Sequence, residues 1–85
     1  MNQLEAFRET VEVYRQWNSA PRRVFIPANC DLAHMEDMLR RLEAEPDKFS
    51  DSKLGRWLGW AQGVLCVLGV LTLDQAKEIN RMWAD

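Results

Sequence analysis

The chain has little with which to do chemistry: its 85 residues include one histidine, two cysteines, four glycines and three prolines. One histidine would have to serve any serine or cysteine nucleophile, and no glycine-rich loop precedes a helix where it could cradle an oxyanion or a phosphate. Structural zinc takes four protein ligands and catalytic zinc three. Cys30, Asp31 and His34 form the one clustered set, and Cys30 with His34 four positions on supplies a pair, leaving Cys66 or a carboxylate to come from elsewhere. No metal or other cofactor is implied, and the chain reads as a non-enzyme. Two cysteines at apolar or helix-start positions make no disulfide framework, which favours a reducing, cytoplasmic setting.

An excess of one charge is missing as well. Eleven Lys and Arg against thirteen Asp and Glu leave a net charge of −2, which argues against a general nucleic-acid binder, since such proteins concentrate positive charge on phosphates. The imbalance is local: Asp31 to Asp51 hold seven acids and three bases, while the segments on either side each come to +1. A solvated helix face accounts for this acidic middle more simply than a basic partner does. No apolar run reaches the ~20 residues that span a bilayer. Lys53, Arg56 and Gln62 interrupt the longest one, and acids throughout MNQLEAFRETVEV exclude a signal peptide or anchor there.

What is present is helix. With 47% hydrophobic and 28% charged residues and four tryptophans, the composition is that of one small globular domain. Leu4, Phe7, Val11, Tyr14 and Trp17 predict an amphipathic helix over 2–18, capped by Asn2. Residues 19–29 break the pattern, with Pro21 and Pro27 bracketing RRVFI as an extended link; at least two of Val24, Phe25 and Ile26 are expected to dock on the helices while Arg22 and Arg23 point outward. Leu32, Met35, Leu39 and Leu42 predict a second helix over 31–45, with Glu36/Arg40 and Asp37/Arg41 pairs, ended by Pro46. Ser50 caps a third helix over 51–69 with Phe49 stapled to Leu54, and Gly69 closes it. Thr72 and Gln75 form a capping box for a fourth over 73–83, with Leu73, Ala76, Ile79 and Met82 or Trp83 facing inward. The fold class is all-α, four helices in one compact domain, with the last two side by side or sharply angled across a short turn.

The third helix is the stretch the rest is expected to enclose. Leu54, Trp57, Leu58, Ala61, Val64, Leu65 and Leu68 form one broad apolar face, and the other side carries Gly55, Gly59 and Gly63 every four residues beside Trp60, Cys66 and Val67. Two readings follow for the glycine strip. The preferred one lays the first or second helix across it; the other leaves it for a second copy or another protein. Trp60 next to an arginine has the composition of a binding hot spot. As a helix-turn-helix the C-terminal hairpin is poor: Leu65 stands where a close crossing wants a small residue, and Asp74 and Glu78 would repel phosphates near Gln75, Lys77, Asn80 and Arg81.

The segment KLGRWLGWAQGVLCVLGVLTLDQAKEINR, with its RWLGxxQGVL pattern, resembles small accessory proteins from the early regions of lambda-like bacteriophages and prophages, the anti-RecBCD proteins being the nearest named group. The resemblance lies within residues 51–85 and transfers no binding residue. It implies a compact protein that binds and modulates, or inhibits, a host protein such as a defence nuclease, in the host bacterial cytoplasm. From the residues themselves, the expected function is a non-enzymatic protein–protein interaction module whose contact surface comprises Arg22, Arg23, Phe25, Arg56 and Trp60. The alternatives are a small nucleic-acid-associated regulator using the C-terminal hairpin, and a module that self-associates, as a homodimer, through Gly55, Gly59 and Gly63.

Overall fold

The computed structural model describes residues 2–19 and 25–84. The described residues form four α-helices, α1 (Gln3–Asn18), α2 (Leu32–Ala44), α3 (Asp51–Val67) and α4 (Leu73–Met82), with single 3-10 turns at Ala28–Cys30 and Pro46–Lys48; there is no strand among the described residues.

Each helix starts where a side chain can satisfy the free amides of its first turn. Asn2 accepts from the Glu5 amide, Asp31 from His34, Ser50 from Lys53, and Thr72 with Gln75 completes a reciprocal capping box. α3 ends on Gly69, whose φ of +77° is open to glycine at no steric cost. There the Gly69 amide bonds Cys66 O and the Val70 amide bonds Leu65 O, closing two of the free carbonyls and turning the chain toward α4.

The enclosed helix is α1, not α3. α1 packs extensively against α2, α3 and α4, whereas α3 and α4 meet each other only narrowly. Ala6, Phe7, Thr10, Val11 and Tyr14 of α1 are fully buried, and each large apolar side chain among them contributes about 1.5–3 kcal/mol by leaving water. Leu58, Ala61 and Leu65 of α3, Met35, Leu39 and Leu42 of α2, and Ala76 and Ile79 of α4 close over them. α3 loses the central place because only one of its faces is covered: Val67 is 89% exposed. On α4, likewise, Leu73 and Met82 lie out in solvent, and Trp83 takes the inward position instead.

Two polar features fix how α1 meets its neighbours. Gln62 of α3 is buried, and its amide donates to Thr10 Oγ1 of α1 (3.3 Å) and to Asn80 Oδ1 of α4 (3.0 Å), while Asn80 Nδ2 donates back to Gln62 Oε1 (3.1 Å). Arg8 of α1 bridges to Glu43 of α2 (3.0 Å) and to Glu5, and Arg15 bridges to Glu36 (2.9 Å) and Glu12 (3.3 Å). Glu36 is thus taken by α1 instead of pairing with Arg40, which turns to Asp37; Asp37 also receives Arg41, as the sequence spacing predicts.

Candidate functional site

Along the outer side of α3, Ser52, Arg56, Gly59, Gly63 and Val67 follow one another at spacings of three and four and so share one strip of the helix surface, with Trp60 along its edge. Among the described residues, no atom outside the local backbone lies within 4 Å of where a Cβ would stand on Gly59 or Gly63. Neither α1 nor α2 crosses the strip at these two glycines, contrary to the expectation that one of them lies across it. Gly55 differs: a Cβ there would stand 2.8 Å from Oε1 of Gln3, so the first turn of α1 does reach that end. The physical reason is the angle between the residues. Gly55 lies toward the side that α1 covers, and the strip turns away from α1 as it advances toward Val67.

Because the two glycines have no side chains, the strip is a trough. Trp60, Val64, Val67 and Leu68 from α3 and Pro27 and Cys30 from the preceding segment line a groove of about 510 Å³ around them, with almost no polar surface. Trp60, 38% exposed, forms one wall and is held by an edge-to-face contact with His34 of α2, ring centroids 5.7 Å apart. Across Trp60 a second cleft of about 410 Å³ opens between α2 and α3, lined by His34, Asp37, Met38, Arg41, Arg56 and Trp57. The two hollows are thus contiguous, one apolar and one cationic at its rim. Arg56 donates to Ser52 Oγ (3.2 Å) and makes no ion pair among the described residues. Lys53, one turn earlier, lies over the rings of Phe49 (5.0 Å) and Trp57 (5.6 Å), which are themselves packed edge to face.

Of the residues the sequence marks for partner contact, the structure brings Arg56 and Trp60 together at the junction of the two hollows. Arg22 and Arg23 lie outside the described residues. Phe25 does not dock on the helices: it is 85% exposed, two positions before the groove wall at Pro27, while Ile26 is half-buried and Val24 lies outside the described residues. Pro27, Val64 and Leu68 are groove residues that sequence reasoning missed, since helical spacing sets Val64 and Leu68 on the core-facing side; Val67 lines the groove beside the glycines, where the spacing puts it, though it is not among the expected contact residues. In the C-terminal hairpin Asn80 is engaged by Gln62 and Arg81 by Glu78 (3.2 Å).

Beside the groove, burial pushes the Tyr14 hydroxyl above its ordinary pKa, with the nearby Asp31 and Cys30 adding to the effect. That hydroxyl donates to Cys30 O (2.9 Å) and ties the groove's rear wall to α1. No helix among the described residues is long and apolar enough to cross a membrane. Comparison with protein families, with curated proteins and with solved structures finds no match to this chain.

Proposed function

We propose that the protein is a non-enzymatic interaction module that seats a partner protein on the outer face of α3. The observation that supports this reading is the pair of uncovered mid-helix glycines flanked by exposed Trp60 and Val67. Glycine in a helix interior costs about 0.5–1 kcal/mol relative to alanine. At Gly59 and Gly63 no turn or close approach among the described residues offsets that cost. An incoming backbone would offset it, because it can come closer over glycine than over any other residue. A continuous apolar hollow with an aromatic wall is the kind of exposed surface that marks association sites.

The resemblance to phage accessory proteins supplies the class of partner: a bacterial host protein in the cytoplasm, whose activity is modulated by occupancy and not by covalent change. The test is affinity capture from lysate of the native host, comparing wild type with Trp60→Ala and Val67→Glu. Val67 is fully on the outer face, so Val67→Glu should melt close to wild type, while Trp60→Ala gives up the ring contact with His34 and should melt somewhat lower but remain folded. Wild type should retain a specific protein that both variants lose. Equal recovery by all three, or recovery of nothing, would refute the reading.

A further inference from the structure

The strip on α3 changes character along its length, and that change describes an occupant. Its C-terminal half, Gly59 to Val67, is apolar and concave; its N-terminal half carries Arg56, with Arg41 of α2 across the cleft. Of these, Arg41 shares Asp37 (3.0 Å) with Arg40, whereas Arg56 has among the described residues only a serine hydroxyl. At a helical rise of 1.5 Å per residue, Arg56 stands about 10 Å, or two turns, from Gly63.

A second copy of the chain fits this strip badly. Antiparallel pairing of two α3 helices about Gly59 and Gly63 sets Arg56 opposite Cys66 or Val67, and parallel pairing sets it against its own equivalent. Beyond its first residue, Asp51, α3 carries no acid that could answer it. Either arrangement removes a guanidinium from water without an acid from the facing helix, which is costly. Charge complementarity therefore favours a different partner.

Resting on the docking reading above, we infer that the occupant is an amphipathic helix of another protein, its apolar side chains lying over Gly59 and Gly63 and a carboxylate two turns away meeting Arg56. A helix in an apolar groove is a recurrent recognition mode, read through anchors at i, i+4 and i+7. The trough runs along the α3 axis, so a helix lying nearly parallel to it keeps its anchors in register with the hollow. The carboxylate fixes where along the trough it stops.

The experiment is selection from a displayed library of helical peptides of about 18 residues, or five turns. The library carries Leu, Ile, Phe or Met at i, i+4 and i+7 and a free choice of Asp, Glu, Lys, Arg, Ser and Ala elsewhere. Binders to the wild-type protein should be enriched in Asp or Glu two turns from the apolar centre. A selected peptide should bind Arg56→Glu at least ~10-fold more weakly, recover when its own carboxylate is exchanged for Lys, and lose binding to Gly63→Leu. If binding is lost with Gly63→Leu but is indifferent to Arg56→Glu, the stated chemistry is wrong while docking in the trough stands. Should no peptide prove sensitive to Gly63→Leu or Val67→Glu, both fall. A concentration-dependent dimer in light scattering that Val67→Glu abolishes would instead make a second copy the occupant and overturn the inference.

Discussion

Along the seam between α1 and α2, Arg8 and Arg15 each reach across to a glutamate of α2 while also holding a glutamate of their own helix, so every arginine of the seam is met by acids of the chain itself on a surface that water covers. The outer face of α3 is also open to solvent but has glycine, tryptophan and valine where the seam has ion pairs, and its one arginine has no acid among the described residues. The arginines of the first surface are met within the chain. The second has hydrophobic area uncovered and helix propensity given up, with no compensation from the other described residues. Two surfaces on one small protein can thus be told apart by whether their local costs are met locally. Where they are not, the missing contribution has to come from outside.

The comparison can be broken most directly by truncating side chains of equal kind on the two faces of α3. Leu65→Ala, on the buried face, should destabilise by about 2–5 kcal/mol, whereas Val67→Ala, about half a turn from it, should change stability by no more than about 0.5 kcal/mol. Urea denaturation of both variants reads the contrast, and a comparable loss at Val67 would mean that its face is covered in the monomer.

A smaller effect is expected at the polar contact among three helices. Gln62→Ala leaves Asn80 and Thr10 without the amide they share, a loss of about 1–3 kcal/mol; a midpoint unchanged in urea would show that water replaces the amide fully.

The glycines sharpen the comparison because their sign reverses. Gly59→Ala and Gly63→Ala should each raise stability by about 0.5–1 kcal/mol while impairing capture of a partner. Gly55→Ala should gain less, because the Gln3 side chain must move aside. Thermal melts of the three single variants are the measurement, and destabilisation at Gly63 would place a neighbour over the strip.

The smallest effect concerns pH. The pKa of Tyr14 is raised above 10 in the folded chain, chiefly by burial. The folded state holds the proton more tightly than the unfolded one, so the stability it contributes is whole below pH 10 and is lost as the pH climbs through the raised value. Tyr14→Phe should flatten the alkaline limb of a melting-temperature profile; an identical alkaline limb in both proteins would remove Tyr14 from the account.

How far the sequence could be read divides along the range of the interactions. Asn2, Ser50, Thr72 with Gln75, and Gly69 act on amides or carbonyls a few residues away, and each was legible with its role. The helix bounds follow from them. The choice of central helix was not legible, because α3 is apolar on both sides and periodicity alone does not say which side another helix will cover. Leu73 fails as a core residue, and of Met82 and Trp83 only Trp83 packs inward, for the same reason, since apolar type allows burial without requiring it. Gln62 reads in the sequence as an interruption of an apolar run; its partners are 18 and 52 positions away, and nothing local announces them.

The reciprocal amide contact between Gln62 and Asn80 has a further consequence for folding. Two helices that touch only through aliphatic groups could settle in several alignments of similar energy, offset by a turn or by a rotation. Here a slip of one turn, about 5.4 Å, would strand two carboxamides in a greasy crossing, so the misaligned hairpins are penalised far more than the correct one is rewarded. This pair thus adds to the packing of both helices on α1 in selecting one alignment of the C-terminal hairpin, and a variant with leucine at both positions should stay helical while sampling more than one arrangement.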